Sequence, residues 1–202
     1  MKKDFFAHKA DSYEQNKSHV SNVDRIANAV IAGVQLERHM HLMDFGSGTG
    51  LLLERIAPHV KKITAVDMSP AMNKQLMSKK PALPCDLELL EMDLETASID
   101  DRFDGIISSM TLHHVKDIAS IFRTFHALLN AGGFIALADL DQEDGSFHSE
   151  DTGVHHHGFD RELIASHARA AGFTGVTVSD ASIIHKPEGD FPVFILRATR
   201  AD

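Results

Sequence analysis

The sequence predicts an α/β protein: a doubly wound, mostly parallel sheet with helices on both faces. Three observations carry this. Short apolar runs at 42–45, 63–66, 87–90, 103–110 and 134–140 alternate with helical patterns, as strands of a parallel sheet do when helices cross between them. The first run leads into Gly46-Ser47-Gly48-Thr49-Gly50 and then straight into a helical stretch at 51–57. Two further β-rich runs, 176–184 and 191–198, flank Lys-Pro-Glu-Gly-Asp, the pattern of an antiparallel pair. The sheet therefore has seven predicted strands, with the last one antiparallel.

Composition bounds the class. A chain of 202 residues with 43% hydrophobic content fits one domain with a sizeable core. No apolar run approaches the roughly 20 residues that cross a bilayer, so no membrane association is expected. Lys2 and Lys3 are not followed by an apolar core, so no leader peptide is expected. One cysteine, Cys85, rules out an internal disulfide and a cysteine-built zinc site. A cytoplasmic protein fits these features. The net charge of −9 speaks against a nucleic-acid partner, which demands a basic face. The 14 histidines read mostly as solvated surface.

The elements follow in order. Residues 1–20 are polar, with Phe5, Phe6 and Tyr13 as their aromatic residues. A helix is predicted over 22–38 from Val23, Ile26, Ala27, Val30, Ile31 and Val34 on one face, with Ser21 and Asp24 as a capping box. The glycine turn comes next. Glycine lets a backbone turn tightly and approach a ligand with no Cβ in the way. A dinucleotide site expects G-x-G-x-x-G. Here the third glycine arrives one residue early and Leu51 stands where that motif wants Gly or Ala. Asp44, two residues before the first glycine, offers a carboxylate at a strand end to a positively charged ligand.

The second strand ends at Asp67, and Ser69-Pro70 then open a helix as N-cap and first helical residue. An acidic residue at that strand end can accept hydrogen bonds from ribose hydroxyls. The third strand is followed by Asp93. The fourth is apolar on both faces, as a central parallel strand should be. Asp117 caps a helix whose stripe is Ile118, Ile121, Phe122, Phe125, Leu128 and Leu129, with Asn130-Ala131-Gly132-Gly133 ending it. Residues 141–159 form an acidic, glycine- and histidine-rich loop. A last helix starts at Gly158-Phe159-Asp160 and closes at Gly172.

The run Asp44-Phe45-Gly46-Ser47-Gly48-Thr49-Gly50 resembles the first motif of the class I S-adenosylmethionine-dependent methyltransferases. Ala10-Asp-Ser-Tyr13-Glu resembles the A-x-x-Y-(D/E) segment ahead of many small-molecule members. Phe103 to Val115, ending Leu-His-His-Val, resembles the family's fourth motif. Leu128-Leu129-Asn-Ala131-Gly-Gly-Phe-Ile is similar to its L-(K/R)-P-G-G-x-(L/F) element, with Ala131 in place of the usual proline. The resemblance covers roughly residues 8–200. It implies a Rossmann-like sheet and one methyltransferase domain over 1–202. In that domain 1–38 would be an arm and helix covering the cofactor side, and 141–159 a variable loop on the substrate side. The implied cofactor is S-adenosylmethionine. Its amino-acid end would lie by Tyr13, Asp44, Gly46, Ser47 and Gly48, its ribose by Asp67, and its adenine by Met68, Asp93 and the backbone of Leu94. Ser109 would stand at the cleft where donor and acceptor meet.

The chemistry constrains the rest. The methyl group sits on a sulfonium whose positive charge disappears during transfer, so strong anions belong away from the sulfur. Transfer is an in-line displacement governed by alignment and exclusion of water. A nitrogen or oxygen acceptor must lose a proton, and His113 and His114 are the candidate catalytic bases, with His148 or His155-His156-His157 able to reach over from the loop. Three adjacent histidines point in different directions and do not make a ligand set. Asp139, Asp141 and Glu143 alternate and could hold a divalent ion on one side. Surface solvation is the preferred reading for both groups, so no metal is expected. Two competitors remain: a non-catalytic protein that binds S-adenosylmethionine or S-adenosylhomocysteine, and an NAD(P)-dependent oxidoreductase, which the glycine spacing disfavours. The fourth strand ends Ser108-Ser109-Met110-Thr111 and not in an N-P-P-Y-type motif, which disfavours methylation of DNA amino groups or of protein glutamine. A small-molecule substrate is expected by elimination. The sequence carries no signal for the oligomeric state.

Overall fold

The structure, a computed structural model, describes residues 4–148, 150 and 152–201. One sheet runs through it. Its strands are β1 (His41–Phe45), β2 (Lys62–Asp67), β3 (Asp86–Glu91), β4 (Phe103–Ser109), β5 (Leu129–Leu140), β6 (Phe173–Lys186) and β7 (Gly189–Arg200). They lie in the order β3-β2-β1-β4-β5-β7-β6. The first five are parallel, and β7 inserts antiparallel between β5 and β6. The predicted seven-stranded, mostly parallel sheet with an antiparallel last strand is what is found. Strand order reverses between β1 and β4, the place where open α/β sheets hold ligands beyond the carboxyl ends of their strands.

Among the described residues five α-helices cover the two faces: α1 (Lys17–Gly33), α2 (Leu51–Ile56), α3 (Pro70–Lys79), α4 (Ile118–Leu128) and α5 (Arg161–Ala170). One apolar cluster joins Ile26 and Val30 of α1, Leu53 and Ile56 of α2 and Leu76 of α3 to Leu42, Ile63 and Ile195 of the sheet. The second joins Phe122 and Phe125 of α4 and Ile164 of α5 to Met43, Phe103, Leu137 and Phe194. Successive residues of a strand point to opposite faces, so Leu42 and Met43 feed different clusters. Burying a side chain such as Phe122 removes it from water at a gain of about 2 kcal/mol, and truncating it to alanine adds a cavity cost.

Three helix ends differ from the predicted ones. Helix α1 begins five residues before position 22, because the Asn16 side chain accepts the Ser18 N–H at 2.9 Å and caps it ahead of Ser21. It stops at Gly33, and Val34 is already extended. Helix α4 passes straight into β5 at Leu129 and does not close on its glycines. Arg200 accounts for this: its guanidinium donates to the carbonyls of His126 and Leu129, satisfying carbonyls that a glycine cap would otherwise serve. The caps at Ser69, Asp117 and Asp160 fall where local chemistry predicts them. Among the described residues no helix is long and apolar enough to cross a membrane.

Candidate functional site

A cavity of about 610 Å³ opens at the carboxyl edge of the sheet, within the size range of small-molecule sites. It is lined by every predicted site residue: Tyr13, Asp44, Gly46, Ser47, Gly48, Asp67, Met68, Asp93, Leu94, Ser109, His113 and His114. The strand ends bring most of them together. Asp44 sits near the end of β1, Asp67 ends β2, Asp93 follows β3, and Ser109 ends β4.

The glycine turn is shaped by its neighbours. Gly46 and Gly48 have φ of +69° and +55°, where a side chain is strained. A Cβ on Gly46 would lie 2.2 Å from the Thr111 side chain, while one on Gly48 would meet nothing within 4 Å. Gly46 therefore lets β4's end close on the turn, and Gly48 leaves open space over it. Thr111 donates its hydroxyl to the Gly46 carbonyl at 3.3 Å, and Ser108 donates to the Phe45 carbonyl at 2.7 Å, locking β1 to β4. Met110 between them holds φ at +57°, a strained backbone of the kind that collects at functional sites.

Asp67 braces the turn. Its two oxygens accept the N–H groups of Gly48 and Ser69, each at 2.8 Å. A carboxylate has about four acceptor sites, so roughly two remain for hydroxyl donors. Burial raises its pKa, and those two N–H groups work against the rise. Asp44 is 1% exposed, and burial, with Asp67 nearby, pushes its carboxyl up to about 8. Its Oδ2 is buried without a hydrogen-bond partner among the described residues, as are Ser47 Oγ, Thr49 Oγ1, Ser109 Oγ and Asn22 Oδ1. All five residues line the cavity. Buried polar atoms are rarely left unpaired, so these five groups are available to a polar ligand in the cavity.

The arm ahead of α1 crosses α3. Asp4 accepts the Ser69 hydroxyl at 2.8 Å, Asp11 accepts from Gln75 at 2.6 Å, and Lys79 bridges Glu14 and Glu54. This places Phe5, Phe6 and Tyr13 on the cavity wall. Burial first, then Asp67, raises the Tyr13 phenol.

The other side of the cavity is histidine-rich. His113 Nδ1 lies 2.6 Å from Asp139 Oδ1, and both residues are buried. Asp139 also accepts the Leu140 N–H at 2.7 Å and the His113 N–H at 3.3 Å. Burial alone would raise the Asp139 carboxyl, but His113 and these N–H groups outweigh it and hold the pKa below the usual carboxylate range. With Nδ1 engaged by Asp139, the far nitrogen of the His113 ring is the one left for a ligand. Its ring centroid lies 4.2 Å from that of His114 and 5.2 Å from that of His148. Burial, then the neighbouring His113, pushes His114 down to about 3 and His148 down to about 4, so both are neutral at pH 7.

The remaining candidates separate. His155 lines the cavity, His156 donates its ring N–H to the Val115 carbonyl at 2.9 Å, and His157 points to Glu143 at 3.5 Å. Asp139, Asp141 and Glu143 do not converge: Asp139 holds His113, Asp141 pairs with Arg161 at 2.6 Å, and Glu143 accepts the N–H groups of Gly145 and Phe147. One His/acidic trio with ligand atoms within 4.8 Å of one another exists among the described residues: His41, Glu88 and Asp101. It lies at the opposite edge of the sheet, and Lys62 occupies Glu88 at 2.7 Å. Sequence reasoning misses Asn22, Phe5, Phe6 and Lys186 on the wall, and it misses Asp139 as the partner of His113. Only Asp139 leaves a signal, as a carboxylate near the end of a strand adjacent to β4.

Comparison with known proteins speaks to the family and the fold. A family described as a methyltransferase domain matches residues 14–178. An uncharacterized methyltransferase of Schizosaccharomyces pombe is 26% identical over 200 residues, covering 91% of this chain and 68% of that protein. A ubiquinone biosynthesis O-methyltransferase of Xanthomonas campestris is 30% identical over 108 residues, covering 52% of this chain and 45% of that protein. The chain thus spans between about half and two thirds of these relatives. Among solved structures, a chain from the complex of the Haloferax volcanii Trm112 methyltransferase activator with a methyltransferase superimposes at a TM-score of 0.80, 16% identity and 100% coverage of both chains. The N-methyltransferase NodS of Bradyrhizobium japonicum with S-adenosylhomocysteine gives 0.74 at 13% identity, covering 99% of this chain and 100% of its own. At these identities the structural likeness speaks to fold alone.

Proposed function

The chain belongs to the class I S-adenosylmethionine-dependent methyltransferases, and on that premise we propose that it methylates a nitrogen or oxygen of a small-molecule acceptor, with His113 as the base. The observation that carries this is the His113–Asp139 pair in the cavity wall. When bound, the cofactor supplies a methyl group activated on a positive sulfonium. The site fits that group on its own geometry. Asp44's unpartnered buried oxygen suits an ammonium, and the unpartnered hydroxyls of Ser47, Thr49 and Ser109 suit polar atoms of the same ligand. Asp67 keeps acceptor capacity for ribose hydroxyls, and Met68 after β2, with Asp93 and Leu94 after β3, completes the wall for the adenine.

The chain's own residues then do three things. Asp44, Asp67 and Asp93 hold the cofactor from strand ends, away from the histidines. Phe5, Phe6 and Tyr13, pinned by the arm's contacts with α3, keep water from the cavity. Asp139 orients the His113 ring so that its far nitrogen takes the proton an N–H or O–H acceptor releases. The buried carboxylate also stabilises the imidazolium that forms. The cavity size and its cover by arm and loop support a small acceptor.

The test is methyl transfer from isotope-labelled cofactor into the small-molecule filtrate and the macromolecular retentate of a cell extract. Label should enter the filtrate. Label entering only the retentate would contradict the small-molecule reading, and no label in either would favour a binding protein without turnover.

A further inference from the structure

Lys186 is the last residue of β6, which runs parallel to β5, so its side chain lies at the same carboxyl edge as Asp44 and Ser109. It lines the cavity, half-buried. Its ammonium donates to the Phe147 carbonyl and stands 3.7 Å from the centroid of the Phe147 ring. No carboxylate among the described residues lies within ion-pair distance of it, whereas Lys9, the other lysine of the wall, is paired with Glu150. An ammonium has three donors, and the described residues use one. Taking a cation out of water without an anion is costly, and burial lowers the Lys186 pKa accordingly.

Glu143 and Glu188 favour its charge from beyond ion-pair distance and Lys9 opposes it, while the groups lining the cavity beside it are apolar or neutral. Phe147 and Ile184 lie beside it, and His148, next in the loop, has its Nε2 buried without a hydrogen-bond partner among the described residues. Lys186 and Lys9 both help to hold His148 uncharged. The cavity thus has two electrostatic ends. Asp44, Asp67 and Asp93 make one of them suited to a cation. The loop end has, among the described residues, one ammonium without a direct ion pair, with hydrogen-bonding imidazoles and aromatic walls around it.

We propose that Lys186 binds a carboxylate of the methyl acceptor, so that the substrate class is a small monocarboxylic acid with an apolar or aromatic body and a nearby N–H or O–H. This deepens the function proposed above and rests on it. A single point charge matches one carboxylate, and Phe147 and Ile184 match the body. His113, 5.2 Å from His148 between ring centroids, stands where the atom to be methylated would release its proton. The cofactor also carries a carboxylate, on its amino-acid end, so the test must separate the two sources.

The experiment is calorimetric titration of the full chain, first with S-adenosylhomocysteine and then, saturated with it, with benzoate, benzamide and phenyl phosphate. It is run on the wild type, Lys186→Met and Lys186→Arg. Benzoate should bind at least fivefold more tightly than its neutral isostere benzamide. Lys186→Met should weaken benzoate about tenfold, in keeping with loss of one charged hydrogen bond, and erase the discrimination. Lys186→Arg should keep most of it, and S-adenosylhomocysteine affinity should stay within twofold in both variants. Equal binding of benzoate and benzamide, no benzoate binding, or no effect of Lys186→Met would overturn the proposal. A tenfold loss of S-adenosylhomocysteine affinity in Lys186→Met would assign the ammonium to the cofactor's carboxylate instead. Phenyl phosphate binding tenfold more tightly than benzoate would replace the carboxylate by a phosphate. If S-adenosylhomocysteine fails to bind the wild type, the underlying reading falls, and the benzoate–benzamide comparison on the free protein decides Lys186 separately.

Discussion

Asp44, Asp67 and Asp93 stand at or just past the ends of adjacent parallel strands, whereas His113, His114, His148 and Lys186 are gathered from a turn, a loop and the far edge of the sheet. The first group is placed by ladder hydrogen bonds about 4.8 Å apart from strand to strand. The second depends on packing: Asp139 under His113, the ring contacts among three histidines, and Phe147 under Lys186. Binding residues built on strands are held rigidly, and loops carry what varies. The proposed function gives the two walls separate tasks: cofactor binding for the strand wall and acceptor binding for the loop wall.

Substitutions on either wall can break that division. The largest effect is expected on the loop wall. Asp139→Asn and His113→Ala should each cut methyl transfer by about 10²- to 10⁴-fold, the usual worth of a general base. S-adenosylhomocysteine affinity should stay within a few-fold. Parallel loss of binding and turnover would show that the histidine is merely structural. On the strand wall the order reverses. Asp67→Ala removes the acceptor of two backbone N–H bonds and the proposed acceptor of the ribose hydroxyls, and should weaken S-adenosylhomocysteine by roughly 100-fold, read by titration calorimetry.

Asp44 sharpens the comparison through pH. Its carboxyl titrates near 8 in the folded free protein, against 3.8 ordinarily. The folded state therefore keeps a proton that the unfolded chain releases. The stability this contributes is complete below about 3.8 and is lost as pH rises through about 8. Asp44→Asn should thus raise the Tm of the free protein by several degrees at pH 8 and change it little near pH 4. The same variant should weaken S-adenosylhomocysteine about tenfold, a stability gain at the expense of binding. Equal Tm gains at both pH values would show that the carboxylate is not ionising in this range. The smallest effect is expected from Phe6→Ala. Its ring meets His114 edge-on with centroids 5.4 Å apart, and its loss should raise the acceptor KM by roughly two- to fivefold through a leakier cover.

The two walls also differ in how far the sequence reveals them. Glycines and carboxylates at strand ends are local signals. An apolar run, a turn and a carboxylate stand close together in the chain, so Asp44, Gly46, Gly48 and Asp67 are legible from the residues alone. The same holds for helix starts at Ser69, Asp117 and Asp160, where one side chain caps its own helix. The loop wall is not local. His113 and Asp139 are 26 residues apart and Phe147 and Lys186 are 39 apart. No periodicity links such pairs, because their meeting depends on which strands become neighbours. The end of α4 escapes sequence reasoning for the same cause: Arg200, 71 residues beyond Leu129, replaces the glycine cap that local chemistry favours.

The most direct test of the account is calorimetric titration of the purified protein with S-adenosylhomocysteine and NADH in parallel, in the wild type and in Asp67→Ala. One-site binding of S-adenosylhomocysteine by the wild type, lost in Asp67→Ala, with no binding of NADH, is the predicted result. Binding of NADH, or S-adenosylhomocysteine affinity untouched by Asp67→Ala, would contradict the assignment of this cavity.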